Sequence, residues 1–219
     1  CIIDINPKTP EVAKEFCDRG FTCHSVIANL GDAESLKNGF EDAVKSLGGH
    51  LDIIVNGAGV QKRHPSEEFP YEDWEFVLNI NLNAVFRLCQ LAGKQFMAQG
   101  SKGKIINIAS MLSFFGGFTV PAYAASKGGV AQLTKALCNE WAGKGINVNA
   151  LAPGYMDTEM NTALTDPSNP RFKEITDRIP AHVWGTPEDM KGPCVFLASA
   201  ASDYLNGAII PVDGGYLVK

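Results

Sequence analysis

Lys104-Ile105-Ile106-Asn107-Ile108-Ala109-Ser110 is followed, after a Gly116-Gly117 loop, by Pro121-Ala122-Tyr123-Ala124-Ala125-Ser126-Lys127. The first stretch is a short, nearly continuous apolar run rich in isoleucine, the pattern of a strand buried on both faces. The second opens a long helical pattern with Pro121 at its start, where a missing N–H costs nothing. A buried strand feeding a covering helix is one unit of a parallel sheet, because parallel neighbours need a crossover. The alternation extends both ways. Runs at 1–5, 22–28, 51–55, 104–109, 147–151 and 208–212 read as strands, and 10–19, 33–47, 71–99, 121–144 and 187–199 as helices. The first helix has Thr9 as its expected cap, Pro10 at the first helical position and Gly20 beyond its end. The expected fold class is α/β, a doubly wound parallel sheet in a single domain over residues 1–219. The segment 157–179, with Pro167 and Pro170, is the least regular and reads as a mobile lobe.

Composition narrows the function classes. Apolar residues make up 45% and charged residues 20%, which excludes a disordered chain. The net charge of −5 and scattered basic residues give no field that recruits nucleic acid or an anionic membrane. No apolar run approaches the roughly 18 residues of a membrane span. Six cysteines show no C-x-x-C spacing, and a chain of 219 residues needs no disulfide staples. They read as reduced thiols in the core of a cytoplasmic protein. The four histidines have no metal-ligand spacing, so no catalytic metal is expected.

In open parallel sheets ligands bind beyond the carboxyl ends of the strands. Asp4, Asn56-Gly57-Ala58-Gly59 and Ala109-Ser110 stand at such ends. Tyr123 and Lys127 are four apart on a helix and share a face. A phenol with its ordinary pKa of about 10 is a poor base at neutral pH. A fixed cation beside it favours the phenolate and lowers that value. Tyr123 then takes a proton from an alcohol or gives one to a ketone. An isolated Y-x-x-x-K is usually an exposed pair on an ordinary helix. Here the preceding strand and loop let the Ser110 hydroxyl reach the same point. Asn81, unfavourable in mid-helix, reads as serving a polar site rather than its helix.

Asn56-Gly57-Ala58-Gly59, Asn81, Ser110, Tyr123-x-x-x-Lys127 and Pro153-Gly154 resemble, in order and spacing, the short-chain dehydrogenase/reductase family. The resemblance covers essentially the whole chain and implies a Rossmann-like fold with NAD(P). It makes Tyr123 the general acid/base and gives Lys127 the nicotinamide ribose. Ser110 polarises the substrate oxygen, and Asn81 holds a proton-relaying water. Asp4 accepts the ribose hydroxyls and repels a 2′-phosphate, which favours NAD over NADP; the alternative is a turn aspartate. Asn29 stands where the family contacts adenine, and Gly57 replaces a common second asparagine. Pro153, Gly154 and Thr158 line the nicotinamide pocket, with Thr158 on the carboxamide. Helices 71–99 and 121–144 resemble those of family tetramers, so a homotetramer or homodimer is expected. The family's glycine-rich pyrophosphate fingerprint is not found before residue 1, and the domain reads as N-terminally incomplete, without its first strand. Two buried strands would then lack hydrogen-bond partners. The competing reading is a catalytically lapsed dinucleotide-binding or structural subunit.

Gly59-Val60-Gln61-Lys62-Arg63, residues 103–111, Asn139-Glu140-Trp141-Ala142, Thr158-Glu159-Met160-Asn161 and Ile179-Pro180-Ala181-x-x-Trp184-Gly185 resemble the family's sugar-acid branch, of the gluconate and 2-deoxygluconate type. Lys62, Arg63 and His64 are placed to clamp a carboxylate, Arg best as a bidentate fork, or else form a solvated basic loop. Tyr155, Met156 and Trp184 wall the pocket or simply pack. The implied reaction passes a hydride between a sugar-acid secondary alcohol and the nicotinamide, with the lobe 157–179 closing over the substrate.

Overall fold

Ile105 and Ile106 are adjacent in sequence and each only 1% exposed, so their strand buries both faces. That is why its apolar run is continuous rather than alternating. The computed structural model describes residues 1–219, except the side chains of Met160 and Ala163. The Met160 position of the sugar-acid motif thus lies outside the described side chains. The chain runs β1 (Ile2–Asp4), α1 (Thr9–Asp18), β2 (Ser25–Ile27), α2 (Ala33–Ser46) and β3 (Ile53–Asn56). It continues through α3 (Tyr71–Leu78), α4 (Ala84–Gln99), β4 (Gly103–Ile108), α5 (Pro121–Trp141) and β5 (Ile146–Pro153). The last elements are α6 (Thr162–Thr165), α7 (Pro170–Arg178), α8 (Lys191–Ala198) and β6 (Ile209–Val212).

All paired strands are parallel. β3-β4-β5-β6 form one sheet, with Ile54 opposite Ile105, Ile105 opposite Val148, and Leu151 opposite Ile210. On one face Leu88, Cys89, Ala92 and Phe96 of α4 pack with Ile105 and Val148. On the other, Ile106 and Leu151 pack with Leu197 of α8. Full burial of such side chains stabilises by about 1.5–3 kcal/mol each. A Cβ on Gly103 would stand 2.4 Å from the Phe96 ring, so the start of β4 admits no side chain.

β1 and β2 form a separate two-stranded sheet, with Ile3 opposite Val26. β1 and β3 do not pair with each other, and each has one neighbour. Between them lies a largely apolar cavity of about 470 Å³, lined by Ile2, Ile3, Phe40, Ile53, Val55 and Leu88 among others.

Several boundaries depart from the sequence expectation. Thr9 is not the cap of α1: Lys8 precedes the helix, and the Thr9 hydroxyl donates to the Asn6 carbonyl at 2.6 Å. A hydroxyl turned back onto that carbonyl is not accepting a helical N–H. The pattern at 71–99 is interrupted by a π-helical turn at Asn79–Asn83. The pattern at 187–199 opens as a 3-10 turn, Pro187–Met190, before α8. The lobe is more regular than expected, since Pro170 sits in the first turn of α7 and the Asn169 side chain accepts the Arg171 N–H at 3.0 Å. Among the described residues, no helix is long and apolar enough to cross a membrane.

Candidate active site

Parallel pairing puts the carboxyl ends of all six strands on common edges, and the polar residues of the sequence motifs follow those ends. After β4, Ser110 caps a short 3-10 turn, its Oγ accepting the Leu112 N–H at 3.1 Å. Ser113 in that turn donates to the Lys127 carbonyl at 2.6 Å and fastens the loop to α5. This staple brings Ser110 near Tyr123, close enough for its hydroxyl to act on the phenol.

Lys127 is 3% exposed, and its Nζ donates to the Ile108 carbonyl at 2.6 Å and stands 5.7 Å from the Tyr123 ring centroid. Burial pulls its pKa down to about 8. The Tyr123 phenol goes the other way: burial pushes it up, and the bond with Ser110 only partly restores it. The sequence predicts that Lys127 depresses this value; burial of the phenol outweighs any such effect, while the ammonium gives one of its three N–H groups to Ile108.

Asn81 is fully buried inside the π-helical turn. Such turns mark places where a helix yields to a site. Its Oδ1 accepts the Val60 N–H at 2.8 Å, and its Nδ2 donates to the Val60 carbonyl at 2.9 Å and Ser126 Oγ at 3.2 Å. Asn81 thus clamps the loop that leaves β3. A Cβ on Gly59 would lie 3.6 Å from Asn81 Oδ1 and 3.7 Å from Lys127 Nζ, which places Gly59 between the two groups. Asn56 is buried rather than presented to the cleft, and donates to Asn107 at 2.8 Å, which donates to Thr134 at 3.0 Å. Among the described residues, its Oδ1 is a buried acceptor without a partner. Gly57 and Ala58 are exposed, and nothing lies within 4 Å of a Cβ built on Gly57.

Asp4 is exposed and uses one carboxylate oxygen to accept the Asn6 N–H at 2.9 Å, so the turn role is real and the second oxygen faces no partner among the described residues. Asn29, also exposed, turns its Oδ1 to the Gly31 N–H at 2.9 Å. Pro153 ends β5, and Gly154 is required by close approach: its Cβ would stand 2.7 Å from the Asp213 backbone. Thr158 is half-buried and precedes the turn Glu159–Asn161. Asp4, Asn29, Gly57 and Gly59 thus follow the strand ends with exposed polar atoms and a glycine loop, and the buried Lys127 Nζ of α5 lies against that loop, a set that fits a dinucleotide.

Ser110 and Tyr123 open onto a cavity of about 240 Å³ that Arg63, Tyr155, Arg171 and Tyr216 also line. Two substrate candidates lie elsewhere. Lys62 is drawn away by Asp73, 3.2 Å from its Nζ, which also holds His64 at 2.7 Å. Trp184 stands behind the wall, its Nε1 donating to Thr176 at 2.9 Å and its rings packing on Phe172 and Tyr155. The sequence reading missed Arg171, Glu174 and Arg178. Their spacing of three and four residues on one helix was the available signal.

A phenol, a hydroxyl and a buried ammonium gathered at the carboxyl edge of a parallel α/β sheet, beside an open glycine loop, mark a nicotinamide-dependent dehydrogenase or reductase. The chain belongs to the short-chain dehydrogenase/reductase family: residues 1–217 match the family model described as enoyl-(acyl carrier protein) reductase. It is 49% identical over 219 residues to the 2-dehydro-3-deoxy-D-gluconate 5-dehydrogenase of Escherichia coli, covering 100% of this chain and 86% of that protein. A putative NAD(P)-dependent gluconate 5-dehydrogenase from Beutenbergia cavernae, with bound NADP, superposes with a TM-score of 0.93 at 46% identity, over 99% of this chain and 86% of that one. The gluconate 5-dehydrogenase of Burkholderia cenocepacia, in complex with NADP and tartrate, gives 0.93 at 39% identity, over 100% and 85%.

Proposed function

We propose that this protein is an NAD(P)-dependent dehydrogenase that interconverts a secondary alcohol of a six-carbon sugar acid, at C5, with its ketone. The observation that carries the reading is Ser110 and Tyr123 opening together onto an arginine-lined cavity. The relatives' names support both the acid and the carbon. They also weigh against a lapsed or purely structural subunit.

In the oxidative direction the Ser110 hydroxyl donates to the substrate oxygen and fixes it beside Tyr123. The Tyr123 phenolate takes the hydroxyl proton while hydride leaves the carbinol carbon. When bound, the nicotinamide supplies the hydride acceptor and, in its oxidised form, a positive charge that favours the phenolate. Lys127 holds a proton at Nζ next to Gly59 and binds the ribose. Asn81 fixes the loop on which Gly59 stands and would hold the water that relays the proton from Lys127. Thr158, Pro153 and Gly154 would hold the carboxamide, and Asn29 the adenine.

Asp4 is the residue expected to favour NAD, but the NADP bound to the relatives leans the other way, toward NADP, and only use of NAD(P) is supported by both. Initial rates with D-gluconate, 2-deoxy-D-gluconate and 2-dehydro-3-deoxy-D-gluconate, each with NAD and NADP, test the reading. Activity on none of them with either cofactor would refute it. Asp4→Ala should shift the NAD-over-NADP ratio about tenfold toward NADP, the scale of one charge-assisted contact. An unchanged ratio would remove Asp4 from cofactor selection. The reading also includes a homotetramer in the cytoplasm, which half-exposed Phe76 and Phe86 on the expected interface helix support. A light-scattering mass of a single chain would rule the tetramer out.

A further inference from the structure

Three arginines and one glutamate line the substrate cavity: Arg63, Arg171, Arg178 and Glu174. Among the described residues, none of the four forms an ion pair within 4.0 Å. Arg178 is committed to the wall, its guanidinium 4.3 Å above the Tyr216 ring. Arg63 is aimed by the loop before α5: one Nη1 donates to the Phe118 carbonyl and to Thr119 Oγ1, both at 3.1 Å. A guanidinium has five N–H donors, so most of this fork stays open. The Arg171 side chain, half-buried, has no hydrogen bond among the described residues. The two open guanidiniums feel one another, since the positive charge of Arg171 adds to burial in pulling the Arg63 pKa down. Glu174 is the one carboxylate among the described residues of that lining and pairs with neither guanidinium, so two like charges converging there form a receptor for an anion.

Arg63 follows β3 and Arg171 belongs to α7, elements far apart in sequence. We propose that Arg171 and Arg63 together receive the substrate carboxylate, so that Arg171 is a specificity-determining residue and the acid group joins the α7 lobe to the loop after β3. The inference deepens the sugar-acid reading above and rests on it for the identity of the anion. Ser110 and Tyr123 hold the reacting hydroxyl within the same cavity, so the paired arginines set how far from the acid group oxidation occurs. A neutral polyol finds the hydroxyl site but leaves both guanidiniums unpaired, a cost that selects against it.

The test uses the NADP-loaded protein and the variants Arg171→Ala, Arg171→Lys and Arg63→Ala, with circular dichroism confirming the fold of each. Tartrate binding by calorimetry needs no turnover and reads the anion receptor directly. Kinetics with D-gluconate then separate KM from kcat. Arg171→Ala and Arg63→Ala should each weaken tartrate and raise the gluconate KM by about 10- to 100-fold, the scale of a lost charge-assisted pair, with a much smaller fall in kcat. Arg171→Lys should recover part of the loss, because charge returns without the fork. Tartrate affinity and KM unchanged by Arg171→Ala, or no tartrate binding by the parent protein, would overturn the receptor. Tartrate binding that needs both arginines, with no turnover of any sugar acid, would instead overturn the sugar-acid reading and leave the receptor standing.

Discussion

Tyr123→Phe is expected to lower kcat for sugar-acid oxidation by about a hundred- to ten-thousandfold, the range supplied by a positioned proton acceptor. The substitution deletes one oxygen and keeps the ring, so the packing of α5 against Ser110 is conserved. It removes the hydroxyl that interacts with Ser110 from a ring standing 5.7 Å from the Lys127 ammonium. Dinucleotide binding should persist, because the ribose contact is the one proposed for Lys127 and the loop at Gly59. Steady-state rates paired with an NADPH fluorescence titration separate the two effects. A variant that keeps activity within tenfold of the parent would show that another group moves the proton. Loss of both activity and binding would show that the hydroxyl holds the site together rather than doing its chemistry.

Lys127→Met should produce opposite changes in activity and stability. Activity should fall by about a hundredfold or more, since the site loses the buried cation proposed to bind the ribose and, once cofactor is bound, to favour the phenolate. Stability rises. The folded Lys127 has its pKa pulled from the ordinary 10.5 to about 8 by burial. A lysine with a lowered folded pKa costs stability below that value, and the cost is recovered as pH climbs through 8 to 10.5. The full penalty is about 3 kcal/mol at neutral pH. The lost hydrogen bond to Ile108 returns about 1 of that, leaving the variant ahead by about 2 kcal/mol near pH 7. Its advantage should shrink as pH approaches 10.5. Urea midpoints of both proteins at pH 7 and pH 10 measure this. A variant less stable than the parent at pH 7, or an advantage that grows with pH, would contradict a strained buried ammonium.

The parts of this molecule legible in its sequence are those fixed by local spacing. The stretch at Ile105, Ile106 and Ile108 had to be a two-sided strand because it puts apolar side chains on both faces, and Tyr123 and Lys127 had to share a helix face. The π-helical turn at Asn79–Asn83 was not legible, since a five-residue window of the same amino acids serves an α-helix equally well. What hid it is tertiary: Asn81 gives both ends of its amide to Val60, twenty-one residues earlier. Lys62 and Arg63 show the same limit. As neighbours in one basic loop they looked equivalent, but Asp73 captures the first and the Phe118 carbonyl aims the second. Arg171 fell in a segment read as irregular, where helical spacing was not sought. Trp184 was recognised as aromatic and near the site, yet no spacing tells a wall from the layer behind it.

The π-helical turn has a thermodynamic consequence. Asp4 and Asn29 follow β1 and β2, while Ser110 follows β4 and Tyr123 and Lys127 belong to α5. The turn ties these regions together from both ends: Asn79 donates to the Gly31 carbonyl, and Asn81 holds Val60 and Ser126. Leu36 and Phe40 of α2 pack into the same core as α4. A dinucleotide that reached from Asp4 to Lys127 would span the regions the turn already couples. Its binding energy would then add to the stability of the whole unit, so occupied protein should unfold at higher denaturant as one cooperative transition.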